Sequence, residues 1–226
     1  MGSGGVACQS WGRRSLVETV GFTRMKDGTR EDYKLLGRIE LDYISRLADR
    51  LLADLELEKD ALGGYQVTRY EHCLQAATRA ARAGESEDYV VATLFHDIGD
   101  RLAPDRHGEM AAAVLEPYVS GEIAWIVRHH GLFQAYYYAH HLGEDRNARD
   151  RYSGHPYYAA CVRFCEKYDQ ASFDPGYRNE PIGFFEPIVR RVISLDRRNA
   201  LATQHDPEHV RNDLGRDRRP RPDPAR

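Results

Sequence analysis

The sequence predicts an all-α domain, and three observations carry that prediction. Apolar residues recur at three- and four-residue steps along most of the chain, no stretch alternates polar and apolar as a half-buried strand does, and helix-start and helix-stop residues punctuate the pattern. A chain of 226 residues has room for one domain with a sizeable core. Residues 1–20 are rich in Gly and Ser without apolar periodicity, and residues 197–226 are rich in Arg, Asp and Pro, so both ends read as disordered or loosely attached. The helical domain is expected over 21–196.

Taken in order, Leu35, Leu36, Ile39, Tyr43, Leu47, Leu51 and Leu55 mark one amphipathic helix between Arg30 and Glu56, followed by a turn at Gly63-Gly64. A second helix is expected from Thr68 to Arg82 with its stop at Gly84. Ser86, followed by Glu87 and Asp88, caps the start of a third, which carries "LFHDIGD" (94–100) near its end. Helical patterns continue through "GEMAAAVLEPY" (108–118), "GEIAWIVRHHG" (121–131), "HPYYAACVRFCEKYDQASF" (155–173) and "GFFEPIVRRVISL" (183–195). The connection over 135–154, aromatic and then charged, has no helical or strand pattern; loops of that length are commonly functional.

Composition bounds the function. Thirty-two Lys and Arg against thirty-five Asp and Glu give a net charge of −3, which offers no general attraction for nucleic acid or an anionic membrane and leaves a small soluble substrate as the expected partner. No apolar run approaches the roughly 20 residues of a membrane span, and the N-terminus has no signal-peptide pattern, so the chain reads as cytoplasmic. Cys8, Cys73, Cys161 and Cys165 match no zinc pattern. Cys161, Cys165 and Asp169 fall at four-residue steps, so the cysteines read as buried small hydrophobes on the stripe that also carries Asp169.

Histidine and carboxylate placement is the informative feature. If the second and third helices pack antiparallel through the turn at Gly84, His72 and His96-Asp97 meet at their far ends. An Asp after the apolar "VVATLF" run is desolvated and needs a partner, which a metal would supply. The second His-Asp pair, His205-Asp206, is an internal control: it lies in a polar, Pro-flanked tail and reads as a solvated pair.

His72, then His96-Asp97, then Asp169 resembles the H…HD…D signature of the HD-domain superfamily of helical metalloenzymes over about 65–169, and His107 with His129-His130 lies where two-metal branches carry two further histidines. The segments "RYEHCLQAATRAARAG", "LFHDIGD" and "IVRHHG" are similar to the mixed-valent di-iron oxygenases related to myo-inositol oxygenase, above all the phosphonate-cleaving HD oxygenases, and also to predicted HD phosphohydrolases. The resemblance implies a first iron held by His72, His96, Asp97 and Asp169 and a second by His107 and His130, bridged by Asp97; His129 replaces His130 if the register slips by one. It implies Fe(II)/Fe(III) oxidation of a small hydroxylated substrate by dioxygen. The alternative is a phosphohydrolase acting on a nucleotide or small phosphate ester with Mn, Fe, Mg or Co, in which Asp100 is a natural general acid/base. A non-catalytic scaffold would call for lost ligands, and all six positions are filled.

Two departures bear on the substrate. Where phosphonate-cleaving relatives carry the Glu of a Tyr-x-x-Glu element, this chain has Tyr65, and three residues past the dyad, where they carry His and inositol oxygenases Lys, it has Asp100. An anion in that place is repulsive towards a phosphonate, so aminophosphonates are expected to be poor substrates unless Arg69, Arg101, Arg106, Arg128 or Lys167 compensates; most of these five read as surface charges. Asp97, Asp100 and Tyr65 are the expected catalytic residues. Tyr65, Asp100, Gln134 and His129 are expected to bind substrate, with Tyr136-Tyr137-Tyr138, His140 and His141 close enough in sequence to wall the pocket.

Overall fold

The computed structural model describes residues 18–60 and 63–205. Its regular elements are all helical: α1 (Arg30–Ser45), α2 (Leu47–Glu56), α3 (Arg69–Arg82), α4 (Glu87–Leu94), α5 (His107–Leu115), α6 (Gly121–Gln134), α7 (Tyr158–Phe164), α8 (Ile182–Val192) and α9 (Leu195–His205), with no strand among the described residues. The chain divides into two compact units, Met1–Leu41 and Asp42–Arg226. In the first, Phe22 lies on Tyr33, whose hydroxyl donates to the Met25 carbonyl. Among the described residues no helix is long and apolar enough to cross a membrane.

The second unit holds the core. α2 buries Ala48, Leu51, Leu52 and Leu55, whereas α1 buries nothing. The expected single helix over 30–56 is therefore corrected to two. Arg46 leaves helical dihedrals, and the Tyr43 carbonyl accepts from the Arg46 N–H in a tighter turn and from the Arg50 guanidinium, which also lies over the Tyr43 ring. Thr68 caps α3 in a reciprocal box with Glu71, an arrangement worth about 1 kcal/mol. Gly84, at φ +76°, closes the same helix as Glu85 N–H reaches back to the Ala80 carbonyl. Ala76, Ala77 and Ala80 are fully buried and let α3 and α4 lie close together, as the short turn between them requires.

α5 packs on α6, α6 on α7, and α8 against α2 and α4. Phe95, Phe133, Phe164 and Phe185 fill the space between them. The 135–154 connection is ordered as three 3-10 turns, Ala135–Tyr137, Ala139–Leu142 and Ala148–Tyr152. α9 carries regular structure past the Arg197 boundary suggested by composition, and Arg197 anchors it on Asp88 at 3.0 Å. His205 ends that helix; Asp206, its partner in the control pair, lies outside the described residues, as does Cys8.

Candidate metal centre

α4 stops at Leu94, so His96 and Asp97 stand in the turn that follows and not in the helix itself. There the chain folds back on α5. A Cβ on Gly99 would meet the His107 carbonyl oxygen at 2.5 Å and its Cα at 2.8 Å, so only glycine lets the turn lie against the start of that helix. His72 comes from the first turn of α3 and His130 from the last turn of α6. Asp169 comes from a π-helical segment, Cys165–Asp169, that continues α7. The expected α-helical stripe of Cys161, Cys165 and Asp169 is thereby widened by one residue at its end, through a Gln170 N–H to Cys165 carbonyl bond. Both cysteines are buried free thiols, donating to the Ile126 and His130 carbonyls.

Four imidazoles converge with the same orientation. The Nδ1 atoms of His72, His96, His107 and His130 lie 3.0, 2.8, 2.9 and 2.7 Å from the carbonyl oxygens of Ser172, Thr93, Pro104 and Val127. A carbonyl only accepts, so each Nδ1 carries a proton and in the neutral imidazole each Nε2 presents a lone pair inward, as metal-binding histidines are oriented; in its protonated form His130 donates from Nε2 to Asp97. The Nε2 atoms of His72 and His96 are 3.2 Å apart, and those of His107 and His130 also 3.2 Å. Bare nitrogens at that distance repel unless a cation lies between them.

Asp97 connects the two pairs. Its Oδ2 is 3.5 and 3.4 Å from the Nε2 atoms of His72 and His96, and its Oδ1 is 3.5 and 3.1 Å from those of His107 and His130. Asp169 Oδ1 joins the first pair at 3.4 and 3.9 Å, and its other oxygen is buried with no hydrogen-bond partner. Ligands about 2.0–2.2 Å from one ion stand about 3–3.5 Å from each other, so the separations and the orphaned carboxylate oxygen both fit metal binding. Among the described residues, three groups of donor atoms could hold an ion: His72, His96 and Asp169; His96, Asp97 and His130; and Asp97, Asp100 and His107.

Electrostatics follow from burial and pairing. Burial opposes charge on His130, but its hydrogen bond to Asp97 pushes it up to about 9; burial lowers His96 to about 4. Burial alone would raise Asp97, yet His96, His130 and Arg69 hold it well below the usual carboxylate range. Asp100 is raised by burial and by Asp97. It is not the uncompensated anion suggested by sequence, because Arg69 bridges it at 2.7 Å to Asp97 at 2.8 Å and His107 Nδ1 lies 3.2 Å away.

The remaining expected residues are more spread out. His130 joins the cluster and His129 does not: the His129 ring lies against Trp125 at 4.2 Å and Tyr152 at 4.9 Å, and its Nδ1 donates to the Trp125 carbonyl. Tyr65, 61% exposed, stands at the rim, where its ring meets Phe173, which stacks on His72 at 4.4 Å. Gln134 lies one turn beyond His130 on α6, its Oε1 buried without a partner. Tyr138, His140 and His141 are exposed. Sequence reading missed the orienting Ser172 carbonyl, Phe173, and Glu58, which is 1% exposed and 3.9 Å from Arg101. Arg69 was legible as a neighbour of His72, since residues three apart share a helical face. Arg106 and Arg128 pair with Glu109 and Glu116, and Lys167 is exposed, as expected of surface charges.

Comparison with known proteins matches the HD domain family model to residues 69–163. The chain is also similar to [1-hydroxy-2-(trimethylamino)ethyl]phosphonate dioxygenase (glycine-betaine-forming) of Leisingera caerulea, 37% identical over 78 residues, 30% of this chain and 40% of the relative. The match thus spans less than half the length of that curated relative.

Proposed function

The chain carries an HD domain over residues 69–163, and from that premise we propose that it is a dinuclear iron oxygenase that oxidatively cleaves a small hydroxylated substrate with dioxygen. One observation carries the reading: the two oxygens of Asp97 face two separate imidazole pairs, the disposition expected of a carboxylate shared between two ions. His72, His96 and Asp169 would hold one iron and His107 and His130 the other. The named activity of the Leisingera protein supports an oxidative reading of the same donor set.

When bound, the iron pair would supply the redox chemistry and the Lewis acidity that activate a chelated hydroxyl. The protein's own groups do the rest. The four backbone carbonyls fix the imidazole tautomers, Arg69 holds Asp97 ionised, and Phe173 covers one face of the His72 ring. Asp100, raised by burial yet within reach of His107 and Arg69, is placed to take up or return a proton at Oδ1. Tyr65 at the rim is placed to meet the substrate on entry.

The test is protein purified without oxygen, assayed for iron and examined by EPR before and after partial oxidation. A coupled Fe(II)/Fe(III) signal that grows on half-oxidation and disappears on full oxidation is expected, with substrate turnover that consumes dioxygen and stops under anaerobiosis. Strong oxygen-independent release of phosphate from a nucleotide or phosphomonoester, lost in Asp97→Ala, would replace the oxygenase with a phosphohydrolase.

A further inference from the structure

Both outer nitrogens of Arg69 are taken by carboxylates, so that guanidinium is not a free anchor for an anionic ligand. Two other arginines are differently placed. The guanidinium carbons of Arg146 and Arg149 lie 4.1 and 3.7 Å from the centroid of one ring, Tyr136. Neither is in an ion pair among the described residues, and Nε of Arg146 together with Nε and Nη1 of Arg149 are buried without a hydrogen-bond partner. Asp150, next in sequence to Arg149, is engaged by the Tyr158 hydroxyl at 2.6 Å. Two cations gathered on one ring repel each other, and buried guanidinium N–H groups left unsatisfied are costly. An oxyanion with several acceptor lone pairs relieves both costs at once.

The place of this pair ties it to the metal centre. Tyr136 is the middle residue of the 3-10 turn directly after α6, and Gln134, with its own unpartnered buried Oε1, shares the α6 face of His130.

We propose that Arg146 and Arg149, gathered on Tyr136, form a binding site for the oxyanion group of a small ligand, a phosphate, phosphonate or carboxylate. That this anion is one end of the molecule oxidised at the metal centre rests on the function proposed above; the anion site itself does not. An anionic substrate held there would keep its anion on the arginines and leave its hydroxyl for the metal centre.

The test is calorimetric titration of the full chain with inorganic phosphate and with glycerol 3-phosphate, before and after metal removal by chelation, with metal content measured in each sample. Phosphate binding should weaken about tenfold or more in Arg149→Gln and in Arg146→Gln. Glycerol 3-phosphate binding more tightly only to metal-loaded protein would identify the anion as the substrate's own; equal binding with and without metal would identify a free anion. Either result upholds the site. Unchanged phosphate affinity in both glutamine variants, or no phosphate binding by the wild type, would overturn it. Should Arg149→Gln fail to fold, Arg146→Gln decides. A chain that takes up no metal but binds phosphate through these arginines would sink the oxygenase reading and leave the anion site standing.

Discussion

Arg69 donates to Asp97 with one nitrogen and to Asp100 with the other, inside a site that contains three carboxylates. Removing it leaves two neighbouring buried anions without a fixed counter-charge, a change that costs about 3–5 kcal/mol when one member of a buried pair is lost. Arg69→Gln should therefore destabilise metal-free protein by that amount and metal-loaded protein by clearly less, because bound cations neutralise the same oxygens. Thermal melts with and without chelator measure both, and equal losses would mean that the carboxylates are not metal ligands. The six residues expected as ligands stand out in the sequence by type and order, and the structure brings them together. The orienting carbonyls do not stand out, because any residue can supply a carbonyl: nothing in Ser172 or Thr93 as letters says that a histidine proton will be placed on it.

The elements meet at glycine contacts. A Cβ on Gly108 would lie 2.8 Å from the Val127 carbonyl oxygen and 3.3 Å from the His130 ring, so α5 and α6 approach closely only because that side chain is missing. Gly108→Ala should push the helices apart, destabilise the protein by about 1–3 kcal/mol, and loosen the His107–His130 pair. The check is urea denaturation alongside metal retention after dialysis; a variant as stable and as metal-rich as wild type would refute the argument. Helix starts and stops were readable where local chemistry sets them, at Thr68 with Glu71 and at Gly84. The break at Arg46 and the π segment before Asp169 were not, because both depend on partners brought in by packing: the Arg50 guanidinium on Tyr43 in one case, and the demand that Asp169 face His72 in the other.

At the scale of the whole molecule, the site is a buried collection of charges whose cost depends on pH. Burial, helped by Asp100, pushes Glu58 up to about 7 from an unfolded value of 4.5. A carboxyl raised on folding contributes stability that is complete below its unfolded value and lost as pH rises through its folded one, so Glu58 favours the fold below about pH 4.5 and ceases to do so above about 7. Glu58→Gln should gain up to about 3 kcal/mol on wild type at pH 8 and nothing at pH 4.5, by denaturant titration at both values. No gain at pH 8 would mean that Glu58 is better compensated than Arg101 at 3.9 Å allows. An all-helical fold was readable from periodicity alone, since each helix of the core has its own stripe. The reaction was not, because four imidazoles and two aspartates are a ligand set that several chemistries share. The most direct test of the shared-carboxylate centre is therefore metal content by elemental analysis in wild type, Asp97→Ala and His107→Ala, all prepared without oxygen. The bridging arrangement predicts two ions per chain in wild type, close to none in Asp97→Ala and about one in His107→Ala; wild-type metal content retained in Asp97→Ala would contradict it.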